Sequence, residues 1–227
     1  MKYRIDGTTM QVLHVELTPG DEVYTEVGGM AWMSDNIEMD TETKGGVLSG
    51  IGRMMAGESF FVNRYHVNEG QGTIAFAAEY PGSIVPIELK KGESRICQKD
   101  AFMCAEGNVK LEKHFQKKLG AGMFGGEGFI LQKLTGPGMA FVDLSGEIIE
   151  MELDAGQRLK VDTGYIAMFE PQVKFDITRV KGVKNMLFGG EGVFLAILEG
   201  PGKVWLQSMP IQTLAARLSR FLTLKRR

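Results

Sequence analysis

Val193-Phe194-Leu195-Ala196-Ile197-Leu198-Glu199-Gly200-Pro201-Gly202-Lys203-Val204-Trp205-Leu206 decides the fold. Two short apolar runs rich in β-branched and aromatic residues flank a Gly-Pro-Gly turn, which reads as a β-hairpin rather than a helix. The arrangement recurs as Phe129 to Leu134, Gly136-Pro137-Gly138 and Ala140-Phe141-Val142. Proline followed by glycine predicts a type II turn, because proline presets φ and glycine takes the positive φ. An earlier copy carries Gly70-Gln71-Gly72 and extra residues around Tyr65-His66.

A Gly-Glu signature precedes each hairpin: Gly57-Glu58-Ser59-Phe60, Gly126-Glu127-Gly128-Phe129 and Gly190-Glu191-Gly192-Val193, spaced by 69 and 64 residues. Further upstream a second signature keeps step, at Glu16-Leu17-Thr18-Pro19-Gly20, Glu88-Leu89-Lys90-Lys91-Gly92 and Glu152-Leu153-Asp154-Ala155-Gly156, spaced by 72 and 64. Two signatures in one order and nearly one period indicate an internally triplicated chain. Each signature glycine sits where a tight turn needs positive φ. A second strand begins eight residues later and brings Met30, Phe102 and Ile166 to one equivalent position, expected to lie in the core. The chain is therefore expected to be one structural unit of three repeats, at about 1–80, 81–145 and 146–209, followed by a C-terminal helix over 210–224. In that helix Leu214, Leu218, Phe221 and Leu222 form one apolar stripe, and Pro210 suits the first turn.

Composition sets the class. Charged residues are 24%, apolar residues 44%, and the net charge is −2, the make-up of a soluble globular protein with no basic face for nucleic acid. Cys97 and Cys104 read as reduced thiols, since one possible pair in 227 residues is no disulfide framework. The polar N-terminus is not a secretory signal and no run is long enough to span a membrane, so a cytoplasmic location is expected. The Gly-rich apolar stretches Gly45–Gly57, Leu119–Gly125 and Val183–Gly189 read as mobile loops.

Taken together, the Glu-Leu-x-x-Gly turns, the Gly28-Gly29-Met30-Ala31-Trp32-Met33 strand, the Gly57-Glu58-Ser59-Phe60-Phe61 entry and the Gly-Pro-Gly hairpins resemble the "altered inheritance of mitochondria" family, in its bacterial or archaeal type. The resemblance covers the chain from about Tyr3 to Phe221. It implies an all-β fold similar to the tryptophan-attenuation (TRAP-like) RNA-binding protein: three double-stranded β-helix repeats around a pseudo-threefold axis. Fungal relatives are tied to mitochondrial inner-membrane organisation. The family brings no catalytic motif.

The residues themselves argue against catalysis. His14, His66 and His114 occupy non-equivalent positions without ligand spacing, and no nucleophile elbow is present. Gly120-Ala121-Gly122-Met123-Phe124-Gly125 matches a phosphate-loop pattern but runs into a strand rather than a helix. Glu58, Glu127 and Glu191 form the one polar set that repeats. Each is expected to accept hydrogen bonds within its own glycine turn, with a symmetric carboxylate ring for a hard cation as the weaker alternative. No cofactor is expected. The leading reading is a non-catalytic oligomeric β scaffold or binding protein, a homo-oligomer and specifically a trimer, with no nucleic-acid partner. Its contact to a protein partner or an anionic membrane would use Met54, Met55, Met123, Phe124, Leu187, Phe188, Leu218 and Phe221. The alternative is a small-ligand sensor or enzyme with a pocket between repeats or subunits.

Overall fold

The computed structural model describes residues 1–42, 62–117, 128–179 and 194–219. Strands make up most of it. The first stretch runs β1 (Lys2–Asp6), β2 (Val12–Leu17), β3 (Glu22–Glu26), β4 (Trp32–Met33), β5 (Ile37–Glu42), β6 (Val62–Val67) and β7 (Gly72–Ala77). The second runs β8 (Gly82–Leu89), β9 (Ser94–Gln98), β10 (Phe102–Glu106), β11 (Lys110–Lys117), β12 (Phe129–Thr135) and β13 (Gly138–Ser145). The third runs β14 (Ile148–Leu153), β15 (Arg158–Asp162), β16 (Ile166–Phe169), β17 (Lys174–Arg179), β18 (Phe194–Glu199) and β19 (Gly202–Gln207), followed by helix α1 (Ile211–Ser219).

Strand chemistry is plainest in β2. Leu13, Val15 and Leu17 are fully buried while Val12, His14 and Glu16 point outward, the period-2 alternation of a sheet with one covered face. The chain forms two compact units. The first takes the described residues of Met1–Ser94, Asp100–Lys113 and Lys133–Leu144; the second takes those of Arg95–Lys99, His114–Gln132 and Ser145–Arg227. The first holds a sheet ordered β1-β2-β7-β4 and another ordered β5-β6-β3-β10-β13-β8; its core includes Leu13, Val15, Tyr65, Phe76 and Phe141. The second holds the sheets β11-β12-β9-β16-β19-β14 and β15-β18-β17, with a core around Phe129, Leu131, Phe169 and Leu198.

The pairings recur at matching register. Trp32 lies opposite Ala75, Cys104 opposite Phe141 and Met168 opposite Trp205. Leu17 lies opposite Gly72 as Leu153 lies opposite Gly202. The leucines of the Glu-Leu signature, Leu17, Leu89 and Leu153, are all buried.

The signature turns repeat bond for bond. Gly20, Gly92 and Gly156 have φ of 97°, 85° and 79°. The N–H of Asp21, Glu93 and Gln157 donates to the carbonyl of Thr18, Lys90 and Asp154 at 2.8, 2.9 and 2.9 Å. In return, the side chains of those three residues accept from the N–H of Thr18, Lys90 and Asp154 at 3.0, 3.0 and 2.9 Å. With Pro19 second and Gly20 third, the first of them is a type II turn.

The Gly-Pro-Gly hairpins differ from the expected type II turn. The Gly136–Pro137 and Gly200–Pro201 bonds are cis, so proline is third in the turn rather than second. The preceding glycine lies against the backbone of the signature leucine. Its N–H donates to Glu93 O in one copy and Gln157 O in the other, each at 3.0 Å. The position expected to be core in every copy is fully buried at Ile166 and half-buried at Phe102 and Met30.

Candidate functional site

The outer face of the first sheet carries one row of interacting groups. Register places Arg4 beside His14, His14 beside Ala75, and Ala75 beside Trp32. His14 Nε2 is 3.3 Å from Asp6 Oδ2, and the same carboxylate holds Arg4 Nη2 at 2.9 Å. The imidazole meets the Trp32 ring edge to face, with centroids 5.8 Å apart. Trp32 is nonetheless 51% exposed. An indole with an open face on a two-residue edge strand offers apolar contact area and an N–H donor, which suits binding rather than bond-making.

A second cluster gathers acid groups. Asp143 on β13 accepts the Glu79 N–H through Oδ2 at 3.0 Å, while its Oδ1 is buried without a hydrogen-bond partner. Burial pushes its carboxyl up to about 6, with the Glu79 charge adding to the rise and the Glu79 N–H opposing it. The Tyr80 phenol is raised too, first by burial and then by Glu79, Asp100 and Asp143. Because the folded pKa lies above the ordinary 3.8, the native state binds the extra proton between those values. Stability from this group is present below pH 4 and is lost as pH rises to about 6. Asp143→Asn is therefore expected to flatten the pH dependence of unfolding in that window. It should also raise stability at pH 7 by ~1–2 kcal/mol once partial solvation is allowed for. Urea titrations at pH 4 and 7 check it; equal pH dependence in the two proteins refutes it.

The other expected groups fall as follows. Glu58, Glu127, Glu191, Met54, Met55, Met123, Phe124, Leu187, Phe188 and Phe221 lie outside the described residues, as do the glycine-rich loops. Leu218 is 53% exposed near the end of α1, whose start is docked on its own unit: a Cβ added at Gly164 would stand 3.0 Å from Pro210. His66 sits 3.6 Å from Glu38 and 3.7 Å from Asp40. Among the described residues no three His, Cys, Asp or Glu side chains are set to hold a metal. Cys97 and Cys104 are buried and not joined in a disulfide, and burial pushes the Cys104 thiol well up.

β18 buries Ala196 and Leu198, but Leu195 and Ile197 lie between Asp162 and Thr178 and between Lys160 and Asp176. That face is partly solvated, so the strand does not by itself demand a covering subunit. Sequence reasoning missed Trp32, which is equivalent to Cys104 and Met168 and so reads as core. It also missed Asp143, whose signal is an acid inside the apolar run Ala140–Leu144.

Known proteins resemble this chain along most of its length. The family described as mitochondrial biogenesis AIM24 matches residues 3–209. An uncharacterized protein of Streptococcus pyogenes serotype M6 is 30% identical over 231 residues, covering 98% of this chain and 91% of the relative. A crystal structure of a Streptococcus pyogenes protein superposes with a TM-score of 0.81 at 25% identity, covering 97% of this chain and 99% of the other. No helix among the described residues is long and apolar enough to cross a membrane.

Proposed function

This chain belongs to the mitochondrial biogenesis AIM24 family, and from that premise we propose that it is a non-catalytic β scaffold that works as a homo-oligomer in the cytoplasm. Its three sets of strands are three TRAP-like double-stranded β-helix repeats, a reading supported by the matched registers and the three identical signature turns. The observation that carries the oligomer is Trp32, a large apolar side chain held half-exposed at the edge of a sheet that continues on one side only. Unpaired sheet edges template further pairing, and exposed aromatics concentrate contact energy where they are covered. Catalysis finds less support, because the Asp6 carboxylate beside His14 is engaged in ion pairs and both thiols are buried. Light scattering at micromolar concentration is the test. A mass of two or more 25.0 kDa chains, three for the expected trimer, is the predicted result. A mass of one chain overturns the reading.

A further inference from the structure

Two junctions between successive strand sets are built alike. β10 lies beside β3 with Ala105 opposite Tyr24 and Glu106 opposite Val23, and the Gly107 N–H donates to Glu22 O at 2.9 Å. β16 lies beside β9 with Phe169 opposite Ile96 and Met168 opposite Cys97. Tyr24 and Ile96 each stand four residues past their signature glycine, and Ala105 and Phe169 thirteen past theirs, so the two registers are the same. β15 and β4 are the corresponding strands of the third and first sets. Among the described strands, β15 pairs only with β18 and β4 only with β7.

Side-chain burial agrees with these open edges. Twelve residues past the glycine, Cys104 and Met168 are 0% and 2% exposed, whereas Trp32 is half-exposed. Four residues past it, Tyr24 and Ile96 are buried, whereas Lys160 is exposed. The same positions are thus covered at both of these junctions and open on β4 and β15.

We propose that the open edge of β15 is filled by strand β4 of a second copy of this chain, in the register of the two internal junctions. That register sets Met33 of the second copy opposite Lys160, Ser34 opposite Leu159 and Asp35 opposite Arg158, an opposite-charge pair. It covers the Trp32 ring and supplies partners to backbone groups along both edges. The internal junctions are equally short, with two residue pairs each, so the length of β4 is no obstacle. Because each copy offers one β4 edge and one β15 edge, the contact is heterologous, and copies join head to tail and close into a ring where the rotation permits.

This inference rests on the oligomer reading, and cross-linking separates the two. Met33→Cys and Lys160→Cys proteins, mixed and then oxidised, bring together residues at antiparallel-pair spacing of about 4.5–5.5 Å, within disulfide reach. The expected product is a covalent dimer whose linking peptide joins positions 33 and 160, absent from either variant alone. A Trp32→Glu change in the Met33→Cys protein should abolish the cross-link, and Trp32→Glu alone should reduce the light-scattering mass to one chain. A mass of several chains with no link between 33 and 160 overturns this inference and leaves the oligomer standing. A one-chain mass for the unmodified protein overturns both. The double variant Met33→Cys, Lys160→Cys linking within one chain shows that β4 of the same copy fills the edge, and that also overturns it.

Discussion

Gly136→Ala and Gly200→Ala are each expected to lower stability by about 3 kcal/mol or more, because the added methyl has nowhere to go. At Gly136 a Cβ would stand 2.5 Å from Leu89 O and 2.6 Å from Lys90 O; at Gly200 it would stand 2.5 Å from Leu153 O and collide with Asp154 O. These neighbours are backbone atoms of the signature turns, so relief requires moving the turn and breaking the 3.0 Å bonds from Gly136 N to Glu93 O and from Gly200 N to Gln157 O. Gly92→Ala is the control. Its glycine has positive φ but open space around it, so only the left-handed backbone is penalised, by about 1–2 kcal/mol. Chemical unfolding of the three variants separates the effects. If Gly136→Ala and Gly92→Ala shift the midpoint equally, the hairpin does not press on the turn as described.

Phe169→Ala should cost about 3–5 kcal/mol, the range for emptying a well-packed aromatic site. Phe169 is fully buried on β16, between Ile96 of β9 and Val204 of β19. Its ring stacks on Phe175 at 5.8 Å and 12°, and Phe175 in turn stacks on Phe129 at 5.8 Å and meets Phe115 edge to face at 5.0 Å. Removing one ring therefore strips contact from a connected aromatic cluster that spans several strands. Met10→Ala, at an exposed side chain, should change stability by less than about 0.5 kcal/mol. A loss at Phe169 no larger than at Met10 would show that the cluster is loosely packed.

Much of the strand order was legible because it rests on local chemistry. A glycine at positive φ, an acceptor side chain one residue later and a leucine before the turn specify a structure within a few residues. Such a motif is readable wherever it is copied, as at Gly20, Gly92 and Gly156. Alternation in Val12–Leu17 is equally local, and so is the helix after Pro210. The isomer of the Gly-Pro bonds was not legible, because Pro-Gly in a short loop suits more than one turn type. The tertiary feature at that place is the packing of Gly136 and Gly200 against carbonyls of a distant turn.

The candidate site lay beyond reach for a related reason. Trp32, Cys104 and Met168 are the same position to any repeat alignment, and all three are apolar. Whether such a residue is core or surface depends on whether a neighbouring strand lies beside it, and strand neighbours come from elsewhere in the chain. Asp143 is similar: its sequence shows an acid in an apolar strand, but its raised carboxyl follows from burial next to Glu79. The sequence by itself determined the all-β class, the threefold recurrence of turns and strands, and the family, because turn chemistry and side-chain alternation act over a few residues and repeat with the text. Only the tertiary structure decided which copies of a strand have their edges and faces covered, because burial belongs to pairs of segments and no single segment encodes it.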